Sequence, residues 1–216
     1  MSAGGHIVVI DSPQPSAGTL VHPAPQPAYS VVVISASAGG IPALMDLLSR
    51  LPADFALSIL VVQHLSAKLP SRLPEVLGFR TPLKVKWAED GEALNPGTVH
   101  VAPRDRHLLV GPGYRIALSS ADRVGWWRPA VDALFRSAAE IYGERTIAVV
   151  LSGALWDGAK GIAAVREAGG ITIVQDEATS DHFDMPAAAL DLGRADVMMS
   201  PQKIAQALQV LAEGAI

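Results

Sequence analysis

The ten residues 31–40, with the sequence VVVISASAGG, constrain the fold of this chain more than any other stretch. Four β-branched apolar residues open it, and such a run is typical of a buried strand. Small residues follow, and leucines at helical spacing begin soon after Pro42, a residue type tolerated in the first turn of a helix. The sequence therefore predicts a sharp strand-to-helix turn that carries Ser37 beside the free N–H groups of a helix N-terminus.

A serine hydroxyl on such a turn has the physical setting of a nucleophile elbow, although the usual Gly-x-Ser-x-Gly pattern is not matched. Small neighbours would also let a substrate approach the backbone closely. The alternative interpretation is a tight turn that binds a phosphate or no ligand at all. The turn alone does not decide between these hypotheses.

Apolar strands alternate with helical tracts from residue 30 onward. This alternation predicts an α/β fold with a mostly parallel, doubly wound sheet, a Rossmann-like arrangement of three layers. We expect the short segments 98–102, 108–110 and 115–118 to form an added antiparallel hairpin region, because Pro- and Gly-containing turns separate them. The other predicted strands are 31–34, 58–62, 83–87, 146–151, 171–174 and 197–199, and the predicted helices after the first are 69–77, 129–142, 158–168, 186–192 and 202–211.

The first 29 residues differ from the rest of the chain in composition. Five prolines lie between positions 13 and 27, which is typical of a flexible arm, although residues 6–10 have the pattern of a short strand. We therefore expect a flexible, Pro-rich N-terminal arm over residues 1–29 and a single folded domain over residues 30–216.

The charge and the cysteine count exclude several classes of function. The formal net charge of −4 argues against a general nucleic-acid binder, and the absence of cysteine excludes disulfides, a thiol nucleophile and a thiolate metal site. The N-terminus lacks the pattern of a signal peptide, and no apolar run reaches about 18 residues. We therefore expect a cytoplasmic protein without membrane insertion.

Two further polar residues follow predicted strands. His64 comes soon after the strand 58–62, and Asp157 follows the strand 146–151. Because ligands of parallel sheets bind outside the carboxyl ends of the strands, Ser37, His64 and Asp157 would face one crevice if their strands are neighbours. An imidazole can take the proton of an attacking hydroxyl, and a carboxylate can orient the ring. These residue types point to a serine hydrolase.

Alternatives to these roles remain open at this stage. His182 lies in a polar loop between acidic residues and is a competing base. Asp157 could instead cap the helix that follows it, and Asp132 could simply suit the dipole of its own helix. We expect His100 to lie on the outer face of the hairpin region and His107 to serve packing or a backbone hydrogen bond.

Aromatic and basic residues next to the predicted helix 129–142 suggest a binding surface. One interpretation is that Trp126, Trp127 and Arg128 form the floor of a groove that binds an extended, acidic peptide. The other is that they cover the edge of the hairpin region. Together with Ala38 at the turn and Met185 after a long polar loop, Trp127 and Arg128 are our candidate substrate-binding residues. No histidine pair has a zinc-protease spacing and no phosphate-binding glycine motif occurs, so we predict neither a metal nor a nucleotide cofactor.

Seven motifs in register resemble the catalytic domain of the chemotaxis protein-glutamate methylesterase (CheB-type) family. The resemblance implies a serine hydrolase that releases methanol from glutamate γ-methyl esters on chemoreceptor helices, and some relatives also deamidate receptor glutamines. Carried over by position, it makes Ser37 the nucleophile, His64 the general base and acid, and Asp157 the orienting carboxylate. The motifs are residues 35–40, 63–64, 101–107, 128–132, 151–159, 175–180 and 185–186.

The sequence departs from the family pattern both near the candidate active site and in the domain that usually regulates the enzyme. Ala154 and Leu155 stand where the aspartate loop of the family usually has methionine and glycine, and Asp184 stands where a glycine commonly precedes Met-Pro. The arm is too short for the receiver domain of about 120 residues that usually comes first, so we expect no phosphorylation control within this chain. A separate receiver or kinase is then the candidate regulator.

The implied partner is the methylated cytoplasmic helix of a chemoreceptor or of a similar signalling protein. Two other functions stay open at this stage. The altered aspartate loop is compatible with a regulatory or docking module that kept the fold and lost turnover, because a fold does not guarantee activity. An esterase that acts on another methyl ester is the third hypothesis.

Overall fold

A computed structural model describes residues 30–65, 69–192 and 195–214. The predicted arm 1–29, including the predicted short strand 6–10, lies outside the described residues. The strands are β1 (Val31–Ala36), β2 (Ser58–Gln63), β3 (Lys84–Trp87), β4 (Thr98–Val101), β5 (His107–Gly111), β6 (Arg115–Ser119), β7 (Thr146–Val150), β8 (Ile171–Gln175) and β9 (Val197–Met199). The helices are α1 (Gly40–Leu48), α2 (Leu73–Gly78), α3 (Val131–Tyr142), α4 (Ala159–Glu167), α5 (Asp184–Asp191) and α6 (Pro201–Ala212).

Within the described residues, seven strands form one sheet in the order β3-β4-β2-β1-β7-β8-β9. Every neighbouring pair in it is parallel, which confirms the predicted α/β class. The chain leaves β1 toward β2 and later returns to the other side of β1 as β7. The carboxyl ends of β1 and β7 therefore flank the point at which strand order reverses, where ligands of such sheets bind.

The sheet is covered on both faces, as its uniformly apolar strands require. Val32 and Ile34 of β1 pack with α1, α2 and α6 on one face, whereas Val31 and Val33 pack with α3, α4, α5 and the β5–β6 hairpin on the other. All six residues of β1 are buried. The alternation of side chains along the strand thus joins both cores at the strand that leads to Ser37.

The predicted orientation of the segment 98–102 is wrong. β4 is a parallel strand of the main sheet between β2 and β3, and Val99 pairs with Ile59 on one side and Val85 on the other. All four residues of β4 are buried, which is the environment of a parallel strand covered on both faces. Only β5 and β6 form the antiparallel hairpin.

The predicted helix 69–77 is also shorter than expected. α2 spans only Leu73–Gly78, and Leu69 is 65% exposed. Among the described residues, no helix combines the length and the apolar character that a membrane crossing requires.

Candidate active site

The turn after β1 places Ser37 at the centre of the carboxyl edge of the sheet. Its N–H donates to the carbonyl of Ser152 at 3.0 Å, and its own carbonyl accepts from the N–H of Gly40 at 3.0 Å. Gly39 precedes α1 with a φ of 70°, a conformation that favours glycine. A Cβ on Gly39 would also lie 2.5 Å from Cβ of Asp181. The turn is therefore tight enough to require glycine for both its backbone and its space.

A continuous hydrogen-bonded chain joins three of the predicted residues. Nδ1 of His64 lies 3.2 Å from Oγ of Ser37, and Nε2 of the same ring lies 2.8 Å from Oδ2 of Asp157. An ionised carboxylate can only accept hydrogen bonds, so this pairing favours a ring with its hydrogen on Nε2. Nδ1 is then free to accept the proton of the Ser37 hydroxyl, which is the direction a nucleophile requires.

Asp157 is held by the N-terminus of α3. Its carboxylate accepts the N–H of Val131 at 2.8 Å and the N–H of Asp132 at 3.1 Å, and the residue is only 2% exposed. The alternative that Asp157 caps the following helix is wrong, because the helix that it caps is α3 rather than α4. These two donors and His64 fix the carboxylate in one orientation.

Asp132, in the first turn of α3, accepts backbone hydrogen bonds from the start of α4 in the same way. Its Oδ1 accepts the N–H of Gly158 at 3.1 Å and the N–H of Gly161 at 2.7 Å. Asp132 therefore does more than interact with the dipole of its own helix α3. Burial raises the pKa of Asp132, and the neighbouring Asp157 raises it further, although the Gly161 and Gly158 N–H groups oppose this shift. The two aspartates thus lock the starts of α3 and α4 together.

Gln63 is a residue whose role in the site the sequence did not reveal. Its Nε2 donates to the carbonyl of Ser37 at 2.9 Å and to that of His64 at 3.1 Å. Its Oε1 is buried and has no hydrogen-bond partner among the described residues. A single buried amide therefore ties the backbone of the candidate nucleophile to that of the candidate base. The signals in the sequence are its position at a strand end next to His64 and its place in the motif 63–64, neither of which gives its contacts.

Gly153 and Met185 lie next to Ser37. The N–H of Met185 donates to the carbonyl of Gly153 at 2.9 Å, and Met185 is 1% exposed. A Cβ on Gly153 would overlap the sulfur of Met185 and lie 3.0 Å from Cβ of Ser37. Met185, a predicted substrate-binding residue, thus lies in the wall next to the nucleophile.

Trp127 and Arg128 line a cavity together with His64. The indole of Trp127 stacks on the ring of His64, with centroids 5.9 Å apart and planes inclined by 15°. Arg128 donates to Asp105 at 2.9 Å and to the carbonyls of Ser120 and Ala121 at 3.0 Å. The guanidinium therefore braces the loop that presents Trp127.

The other histidines between residues 30 and 214 that the structure describes lie outside the hydrogen-bonded chain. The side chain of His182 is exposed, and its backbone contacts Ser152 and Gly153 instead. His107 bonds two backbone groups, as predicted, through the carbonyl of Asp122 and the N–H of Ala130.

The predicted place of His100 on the outer face of a hairpin is wrong. His100 is fully buried in β4 and bonds Glu92 at 3.1 Å. Within residues 30–65, 69–192 and 195–214, no cluster of three or more His, Asp or Glu side chains is arranged to hold a metal ion.

The fold and this site define a doubly wound α/β protein with linked Ser, His and Asp side chains at the switch point of its sheet. A comparison with protein families gives the finer assignment. The chain belongs to the CheB methylesterase family, whose model matches residues 32–208.

Individual relatives and a solved structure agree with this assignment. A Leptospira interrogans relative, named provisionally as a protein-glutamate methylesterase/protein-glutamine glutaminase, is 38% identical over 82% of this chain and 92% of its own length. A second relative comes from Anaeromyxobacter dehalogenans and is named protein-glutamate methylesterase/protein-glutamine glutaminase 3. It is 39% identical to this chain, and the matched region covers 96% of this chain and 62% of that protein. The crystal structure of the Thermotoga maritima CheB methylesterase catalytic domain matches with a TM-score of 0.81 and 38% identity, over 85% of this chain and 98% of that one.

Proposed function

We propose that this chain is a protein-glutamate methylesterase, a serine hydrolase that removes methyl esters from glutamate residues of chemoreceptors during adaptation. The observation that carries the proposal is the chain of hydrogen bonds from Ser37 through His64 to Asp157, in a member of the CheB methylesterase family. In this proposal, residues 30–216 are the catalytic domain, and the reaction takes place on cytoplasmic receptor helices.

In the proposed mechanism, Oγ of Ser37 attacks the ester carbonyl while Nδ1 of His64 takes the hydroxyl proton. Asp157 stabilises the imidazolium that forms, because its carboxylate faces Nε2 at 2.8 Å. The ester C–O bond then breaks, and His64 returns the proton to the departing methoxide oxygen, which leaves as methanol. Water, deprotonated by His64, hydrolyses the glutamyl-serine ester and frees Ser37 for the next cycle.

The candidate substrate-binding residues receive separate roles. The backbone N–H of Ala38, next to the nucleophile in the turn before α1, is the proposed donor to the oxyanion, a role worth some 3 kcal/mol. Met185, near Ser37, and Trp127, on the ring of His64, would both border the bound ester, and Arg128 would act by holding the loop of Trp127. A separate receiver or kinase remains the proposed regulator.

Deamidation of receptor glutamines is a second reaction that the same groups could perform. The relative of Anaeromyxobacter dehalogenans carries protein-glutamine glutaminase in its name as well. An amide differs from the ester in its leaving group, which would depart as ammonia after protonation by His64. Ammonia release from an unmodified receptor fragment tests this reaction separately.

Methanol release from a methylated chemoreceptor fragment tests the proposed function. We expect the wild-type chain to release methanol and Ser37→Ala to lose this activity, because the variant has no nucleophile. Ser71→Ala is a matched control, since Ser71 lies next to α2, does not take part in the hydrogen-bonded chain of the site and, among the described residues, bonds the backbone N–H of Leu73. A Ser37→Ala variant with the wild-type rate would refute the assignment.

A further inference from the structure

An exposed apolar surface adjoins the candidate active site, and the mechanism above does not use it. It consists of Val124, Trp126, Leu155 and Trp156, which are between 38% and 65% exposed, and we call these four residues the indole rim. Grouped, exposed apolar side chains are typical of interaction surfaces, and tryptophan is common among the residues that dominate binding.

The indole rim begins where the candidate site ends. Trp127 stacks on His64, and the ring centroids of Trp126 and Trp156 each lie 5.9 Å from that of Trp127 and 5.3 Å from each other. A cavity of about 140 Å³ is lined by His64, Trp126 and Trp127, with Arg123 among its other walls. A substrate that reaches Ser37 would therefore place its neighbouring residues on the rim.

The backbone of Leu155 indicates that its side chain serves a purpose. Leu155 has a φ of 71°, which leucine rarely adopts and glycine adopts freely. Its side chain is 43% exposed, so full burial does not compensate for the strained backbone. Strained residues that persist in this way cluster at functional sites.

We propose that the indole rim binds an apolar side chain of the substrate helix, one or two turns away from the esterified glutamate. This inference rests on the proposed function and adds the sequence context that the site selects. A helix advances about 5.4 Å per turn, a length comparable with the 5.9 Å that separates the ring centroid of Trp127 from that of His64 and from those of Trp126 and Trp156. Residues three, four or seven positions from the ester share its helix face and would therefore lie over the rim.

Two synthetic helical peptides test this preference directly. Both carry one glutamate γ-methyl ester in the same Ala-rich host, and they differ only in having Leu or Gln at the positions four and seven residues on either side. The measurement is the ratio of kcat/KM for the Leu peptide to that for the Gln peptide. We expect a ratio of at least about tenfold for the wild-type chain, because burial of one leucine side chain is worth that much in affinity.

Substitutions in the rim should abolish the preference. We expect Trp126→Ser/Trp156→Ser and Leu155→Gly to bring the ratio to within about twofold of one, the latter while relieving the strained backbone. Phe79→Ser is the matched control, because Phe79 is 85% exposed on a different part of the surface, and it should keep the wild-type ratio.

A methylated chemoreceptor fragment, assayed in parallel, separates the two proposals. Hydrolysis of that fragment with equal rates on the two peptides, including no measurable rate on either, would overturn this inference alone. A preference that survives in the rim variants would also overturn it. A wild-type chain that hydrolyses neither the fragment nor the peptides would overturn the proposed function and this inference with it.

Discussion

Replacement of Asp157 by asparagine should separate the electrostatic role of this residue from its shape. The carboxylate faces three donors, because Oδ2 accepts from Nε2 of His64 and from the N–H of Val131, and Oδ1 accepts from the N–H of Asp132. An asparagine side chain has one acceptor oxygen and one NH₂ group. It therefore cannot satisfy both sides of this arrangement.

Either orientation of the new amide has a definite consequence. If its NH₂ faces His64, the ring must accept at Nε2 and carry its hydrogen on Nδ1, which then cannot take the proton of Ser37. If its NH₂ faces Asp132 instead, the tautomer survives but the charge that stabilises the imidazolium is lost. In both orientations a buried backbone N–H is left facing another donor, at a cost of about 1–3 kcal/mol.

These effects set the expected magnitudes. We expect kcat for methanol release to fall about 10⁴-fold, as asparagine in the orienting position of a Ser-His-Asp arrangement does elsewhere. We also expect the melting temperature to fall by roughly 2–12 °C, since about 1 kcal/mol corresponds to 2–4 °C for a chain of this size. Enzyme kinetics on a methylated receptor fragment and thermal unfolding of the same preparation provide both values.

Asp181→Asn is the matched control for this experiment. Asp181 is an exposed aspartate whose Cβ faces Gly39 of the turn, so it lies near the site without joining the hydrogen-bonded chain. We expect Asp181→Asn to keep kcat within about threefold of the wild-type value. An Asp157→Asn variant with kcat within tenfold of wild type would refute this reasoning, as would equal losses in the two variants.

Three further predictions follow from individual contacts. Gly153→Ala should lower kcat at least about tenfold because the new methyl group would overlap the sulfur of Met185 and press on Cβ of Ser37, whereas Gly78→Ala, where a Cβ has ordinary contacts, should keep wild-type kinetics. Gln63→Met should lower kcat more than it raises KM, because it removes the amide that holds the Ser37 and His64 carbonyls without opening a cavity, and a pure rise in KM would contradict this role. Burial lowers the pKa of His100 below its usual 6.5, although Glu92 opposes this shift, so below about pH 6.5 the unfolded chain binds more protons than the folded chain. The free energy of unfolding in urea should therefore be at its full value above that pH and should decline as the pH falls toward 5. A His100→Gln variant with the same decline would contradict this.

The parts of the fold that the sequence could predict depend on strong local signals. β1 is an uninterrupted β-branched run, and the small residues after it leave little alternative to a sharp turn at Ser37. His64 and Asp157 could be placed near it because the carboxyl ends of parallel strands share one edge of a sheet. These inferences require the order of elements along the chain but no side-chain detail.

The parts that could not be predicted depend on contacts between distant segments. The orientation of β4 is decided by its pairing with β2 and β3, and a four-residue strand carries no local signal for it. The capping of α3 by Asp157 and of α4 by Asp132 links segments about 25 residues apart. The bonds of Gln63 likewise join two strand ends that only the folded sheet brings together.

Detection of the covalent intermediate tests the central claim most directly. The wild-type chain is mixed with a glutamate γ-methyl ester peptide, quenched in acid within milliseconds to seconds, digested and mapped by mass spectrometry. We predict that the peptide that contains Ser37 gains the mass of the acylating peptide minus methanol, and that Ser37→Ala shows neither the adduct nor methanol release. Methanol release by Ser37→Ala at the wild-type rate, or an adduct on a different residue, would contradict the account.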